Sequence, residues 1–163
     1  MGKLEVGVGI WSMQSTKFGP RHFSYLYNEL MEDAQYCDEL QTIKTIWQTE
    51  HHFWYDGYSP ALLTVAGGIA AATKHIQIGQ STMLFSQHEA LRVATQAAVV
   101  DQISGGRLQL GLGLGYRDNE FDGFNIDRRT RKARFEEGIE VLRASWADSP
   151  VNFHGKQFDI PDV

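Results

Sequence analysis

The chain has 163 residues, 42% hydrophobic and 21% charged, with a formal net charge of −5. That length suits one domain, residues 1–163, with a buried core, and the acidic balance excludes nucleic-acid binding through overall charge. The single cysteine excludes an intramolecular disulfide and a cysteine-rich zinc site. The start, MGKLEVGVGIW, is not a signal peptide, and no apolar run reaches the ~18 residues of a membrane span, so a cytoplasmic protein with no membrane partner is expected.

Strand-like runs alternate with helix-like runs along the chain. Leu4 to Ile10 reads as the first strand. A helix follows from about His22 to Leu40, after a loop containing Gly19-Pro20, and carries Cys37 as a core thiol. The second strand is about Thr42 to Gln48. Ser59-Pro60 offers a cap and a proline at the first helical position, so the next helix is expected from there to about Thr73. The third strand spans Ile76 to Leu84, and its helix runs from about His88 to Ile103, stopped by Ser104-Gly105-Gly106. The fourth strand is Arg107 to about Leu114. A loop then leads to a long helix from about Thr130 to Ala147. The tail, Val151 to Ile160, alternates on both sides of His154-Gly155-Lys156 and reads as a β-hairpin. Strand and helix in strict alternation predict βα units on a parallel sheet. That pattern is compatible with a barrel and with an open doubly wound sheet that binds a metabolite at its switch point.

Side-chain parity adds a detail. In the first strand Leu4, Val6, Val8 and Ile10 share one face, with Glu5, Gly7 and Gly9 opposite. In the fourth, Leu108, Leu110, Leu112 and Leu114 oppose Gln109, Gly111, Gly113 and Gly115. Glycine weakens a strand, so a bare face calls for close approach of a ligand or of backbone. A cavity for something flat and large is one expectation, and a glycine-tolerant sheet with bulges is the other.

Several motifs compete for chemistry. GLGLGYRDNEF lacks the third glycine of a dinucleotide fingerprint, Tyr116 standing in its place, and no helix opens there to receive a pyrophosphate. QTEHHF places Glu50, His51 and His52 where the second strand runs out. Adjacent strand residues point to opposite faces, so one ion cannot readily use both imidazoles, and no metal is assigned. The run RRTRKAR either holds an anion, meets the preceding acidic loop, or is a solvated face with Lys132–Glu136 and Arg134–Glu137 pairs.

TEHHF after the second strand, DQISGGRLQLGLGLGYRDNEF around the fourth, and RKARFEEGIEVLRASW beyond it together resemble the bacterial luciferase-like monooxygenase family. The resemblance implies a TIM-barrel fold, a small-molecule substrate, and reduced FMN with oxygen, or the deazaflavin F420 with hydride transfer. It implies that His51 is the catalytic histidine, oriented by Glu50, and that Glu120 is the acidic position after the fourth strand. It places Ser81-Thr82 at a non-prolyl cis peptide beneath the flavin ring. Gly113, Gly115 and Tyr116, at the glycine-lined end of the fourth strand, are the other expected cofactor contacts. Gly113 and Leu114 stand where luciferase has a cysteine and an arginine, which argues against light emission by that route. A full barrel needs about 250 residues and eight βα units. Four are found here, so an N-terminal half barrel plus a C-terminal hairpin is expected, acting as a homo-oligomer or with a missing C-terminal half. A flavin-binding or structural module without turnover is the alternative.

Overall fold

Helix α1, Phe23–Leu40, begins at His22, whose ring accepts the Ser24 backbone N–H at 3.3 Å, and ends at Gln41 in the left-handed conformation. Leu26, Leu30, Ala34 and Cys37 line its buried face at helical spacing. Burial pushes the Cys37 thiol up from its ordinary value, as a core position requires. This computed structural model describes residues 4–15 and 21–163, so the expected Gly19-Pro20 loop lies outside the described residues. Two compact units emerge, one of Met1–Met83 with Val99–Gly111, the other of Leu84–Ala98 with Leu112–Val163.

The first unit is built on four parallel strands, β1 (Val6–Trp11), β2 (Ile43–Gln48), β3 (Gln77–Gln80) and β4 (Leu108–Gln109), in the order β1-β2-β3-β4. Ile46 opposes Ile78, and Ile78 opposes Leu108. Each crossover returns beside the strand it left. Right-handed crossovers in that order put α1 and α2 (Leu62–Ala72) on the same side. The order never reverses among the described strands, so the doubly wound alternative has no switch point here. Ile46 and Ile78 are fully buried on one face. Thr45, Trp47, Gln77, Gly79 and Gln109 carry the opposite parity and belong to the other face.

Four sequence expectations shift. Helix α2 starts at Leu62, with Ala61 as its uncapped N-cap, because the backbone of Ser59 is already paired: its N–H donates to Ser12 O at 2.7 Å and its carbonyl accepts from His51 at 3.2 Å. Strand β3 stops at Gln80, where the cis Ser81–Thr82 peptide begins. Strand β4 is regular only over Leu108–Gln109, although the chain beyond still pairs, Met83 N–H donating to Gly111 O at 2.9 Å. The bare glycine face is not empty either. A Cβ on Gly7 would stand 2.6 Å from Trp47 Nε1, and one on Gly79 would enter the Trp47 ring. The indole of Trp47 therefore lies across three strands in the room that two glycines leave. Bulk from one strand thus fills the gap that its neighbours leave.

At the N-terminal end of the strands Asp38, 8% exposed, closes α1 onto the turn before β3. Its carboxylate accepts the backbone N–H groups of Lys74, His75 and Ile76 at 2.8, 2.7 and 2.6 Å. Burial alone raises a carboxyl pKa, but these donors outweigh it and hold Asp38 below its ordinary value. A depressed folded pKa contributes stability above the unfolded value, near pH 4, and the contribution fades as pH falls through the folded value. Asp38→Ala is expected to cost about 3 kcal/mol at pH 7, by urea melting, and distinctly less at about pH 3. An equal loss at both pH values would contradict this account of Asp38.

In the second unit α5 (Arg131–Ser145) carries Gly138 against the Phe85 ring, where a Cβ would intrude at 2.7 Å. Trp146 Nε1 donates to Ala94 O in the first part of α3 (Ala90–Ser104) at 3.2 Å. The chain end forms the expected hairpin, β5 (Phe153–His154) antiparallel to β6 (Asp159–Ile160). Glu137 fastens it to α5 by accepting the N–H groups of Lys156, Gln157 and Phe158 at 3.1, 2.8 and 3.3 Å. No helix among the described residues is long and apolar enough to cross a membrane.

Candidate active site

The C-terminal ends of β1, β2 and β3 are tied together by backbone bonds. Thr49 N–H donates to Trp11 O at 3.3 Å, and Ser81 N–H donates to Gln48 O at 2.7 Å. His51 N–H reaches Ser59 O, and Ser59 N–H reaches Ser12 O. The loop after β2 thus leaves at Phe53, φ 59°, turns at Gly57, φ 74°, and comes back onto His51. Glycine is required at 57 twice over: by its left-handed backbone and by the Phe23 ring packed on it.

The two imidazoles, both beyond the end of β2, go to different surroundings. His51 is half-buried, its ring centroid 4.8 Å from Tyr58 with the planes at 83°, and 5.7 Å from Trp54. His52 is buried, and its Nε2 lies 3.4 Å from Oε1 of Glu50, itself 1% exposed. Glu50, expected to orient His51, thus has its carboxylate beside the second histidine. Ser81–Thr82 is a non-prolyl cis peptide, at the position the resemblance implied. Beside it, Gln48 and Gln80 oppose each other in register, each 1% exposed, and neither carboxamide makes a hydrogen bond among the described residues. Sequence reasoning passed over both, since a polar residue ending a strand carries no signal of burial.

The other expected contacts belong to the second unit. Gly113 O accepts from Phe85 N–H at 2.9 Å. Gly115 has φ 72°, and a Cβ there would meet Phe121 at 3.3 Å. Tyr116 is 67% exposed. Glu120 is fully buried on a short helix, α4 (Asp118–Gly123), inside a stretch that the sequence suggested was loop. The basic run meets its acidic loop: Arg128 pairs with Asp118, and Arg129 grips Asp127 at 2.7 Å. The Arg129 side chain, with its backbone N–H, holds Asp127 down at about 2. Lys132–Glu136 forms as expected at 3.6 Å. Arg134–Glu137 does not, because Arg134 donates instead to Ser86 O and His88 O at 2.9 and 3.2 Å, while Glu137 holds the hairpin.

Trp47 offers a half-exposed flat surface on the sheet face opposite Ile46 and Ile78, one residue before the end of β2. His51 adds an imidazole, the side chain most often used for general acid–base chemistry. These residues fit a planar redox cofactor that needs a flat apolar contact and a nearby proton donor or acceptor.

Comparison with known proteins bears on this arrangement. A family model described as luciferase-like monooxygenase matches residues 10–163. An F420-dependent glucose-6-phosphate dehydrogenase of Amycolatopsis mediterranei is 30% identical, over 98% of this chain and 47% of its own length. The crystal structure of monooxygenase RslO1 from Streptomyces bottropensis superposes with a TM-score of 0.89 at 28% identity, over 98% of this chain and 48% of that one. The oxygenating constituent of 3,6-diketocamphane monooxygenase from Pseudomonas putida, in complex with FMN, gives 0.85 at 20% identity, over 97% and 43%. The chain spans less than half the length of each of these proteins.

Proposed function

The chain belongs to the luciferase-like monooxygenase family, and we propose that it supplies four βα units of a flavin- or F420-dependent oxidoreductase acting on a small organic substrate. The observation that carries this reading is the place of His51. It sits on the βα turn after β2, tied to Ser59 and half-buried against Tyr58, at the end of the strands where enzymes of this architecture keep their chemistry. When bound, reduced FMN supplies oxygen activation, and F420 supplies a hydride. His51 gives or takes the proton that either chemistry requires. Trp47 lends a flat contact surface, and Ser81–Thr82, Gly113, Gly115 and Tyr116 as cofactor contacts, with Glu120 as a catalytic acid, remain what the family resemblance implies. Reduced FMN is the first choice, F420 the alternative.

The sheet ends at β1 and β4, and the edge residues Leu4 and Val6 are 88% and 46% exposed. Such edges call for further strands. We propose that these come from a second copy or from the remaining βα units of the family's barrel. A binding module without turnover is the second reading. Oxygen uptake with NADH or NADPH, a flavin reductase and FMN, measured above the free-flavin rate, tests the oxygenase reading. Bleaching of the F420 absorption by an added hydride donor tests the alternative. Cofactor bound with neither reaction favours the module, and no cofactor bound overturns both readings.

A further inference from the structure

We infer that Tyr58 is the positioning residue for the His51 imidazole, and that its ring rather than its hydroxyl does the work. The inference rests on the reading of His51 as the proton-transfer group. Tyr58 and His51 are seven residues apart in the sequence, yet the loop folds back so that their rings stand 4.8 Å apart and nearly perpendicular. Perpendicular edge-to-face geometry is the favoured arrangement of two rings, because the positive edge of one meets the negative face of the other.

The backbone fixes both members of the pair. His51 N–H donates to the carbonyl of Ser59, the residue after Tyr58, and Ser59 N–H donates in turn to Ser12 O. Gly57 sets the direction from which Tyr58 enters, its left-handed turn seated under Phe23. Tyr58 Oη reaches Thr49 Oγ1 only at 3.4 Å, a long contact that adds little. Trp54 completes a three-ring cluster, 5.7 Å from His51 and 5.9 Å from Tyr58, but its plane is tilted at 53° to the imidazole. Of these two rings, Tyr58 is the nearer and the one in edge-to-face geometry, and it constrains the imidazole plane. Tyrosine has two side-chain torsions, so a ring clamped at both backbone neighbours holds its partner at little entropic cost. A proton-transfer group needs such help, since a misplacement of about 1 Å can cost 10²-fold in rate.

The test uses the whole chain and begins without cofactor. In the wild type, nuclear Overhauser contacts are expected between the His51 and Tyr58 ring protons, and the His51 ring protons, assigned with His51→Gln, are expected to be displaced by the Tyr58 ring current. Tyr58→Phe retains both signatures. Tyr58→Leu moves the His51 signals to those of an unstacked imidazole. With cofactor and substrate supplied, Tyr58→Leu lowers kcat by about 10- to 100-fold with KM little changed, and Tyr58→Phe restores it. Absence of the ring contact in the wild type overturns the inference without any variant. So does unchanged kcat in a folded Tyr58→Leu, or a Tyr58→Phe as impaired as Tyr58→Leu. Full activity in His51→Ala fails the underlying reading separately, because the magnetic resonance signatures of the Tyr58 contact are unaffected by it.

Discussion

Replacing His51 by alanine is expected to lower cofactor-dependent turnover by about 10²- to 10⁴-fold, the usual contribution of a positioned acid or base, while cofactor stays bound. Two features of the site make His51 the residue to change. The residue is half-buried, with its ring against Tyr58. Its backbone is paired to Ser59, so a truncation at Cβ leaves the loop's hydrogen bonds in place. The neighbouring His52 is the internal control. It is 6% exposed with its Nε2 3.4 Å from Glu50, so His52→Ala leaves a hole beside a buried carboxylate and is expected to act on stability first. Steady-state rates at matched cofactor occupancy, with a thermal melt of each variant, separate the two. A His51→Ala enzyme that turns over like the wild type would remove His51 from the chemistry.

Arg107→Ala is expected to be the most damaging change for folding that lies away from the site. Nε of Arg107 donates to Ser104 O at 2.6 Å. Nη1 donates to Thr73 Oγ1 and Ile76 O at 2.7 and 2.9 Å, and Nη2 to Ala70 O and Thr73 O at 2.9 and 3.0 Å. Every acceptor is neutral, and most are carbonyls at the C-terminal ends of α2 and α3, where a cation meets the negative end of the helix dipole. Truncation strands several of those carbonyls at once. The expected loss is about 3–5 kcal/mol, against a total stability of about 5–15 kcal/mol for a domain, and the midpoint should fall by roughly 10 °C. Arg107→Lys recovers only part, because one ammonium cannot span the fork of acceptors. A melt within about 1 kcal/mol of the wild type would show that these bonds add little.

The parts of this structure legible in the sequence are those decided by local rules. The βα alternation, the limits of α1 and β2, the helix stop at Gly105-Gly106 (φ 69° and 85°) and the terminal hairpin all follow from periodicity, glycine and turn chemistry. What was not legible depends on distant partners. The Gly7 and Gly79 positions call for close approach, but nothing in the sequence says that the approaching group is the indole of Trp47. Ser59-Pro60 has the form of a helix start, and only the bonds to Ser12 and His51 explain why Ser59 is spent elsewhere. The acids around Glu120 suggested loop, whereas Phe121 and Glu120 are both buried and give α4 a packed side. At the site the residue types were legible as a pattern, Glu50-His51-His52 followed by Ser81-Thr82, but the pairing of Glu50 with His52 and of His51 with Tyr58 required the fold.

The most direct test of the central claim is native mass spectrometry of the purified chain, incubated with FMN and in parallel with F420. The chain is expected to carry one of the two cofactors in stoichiometric amount, and the same experiment identifies which. A chain that emerges free of both cofactors, folded and at saturating concentrations, would contradict it.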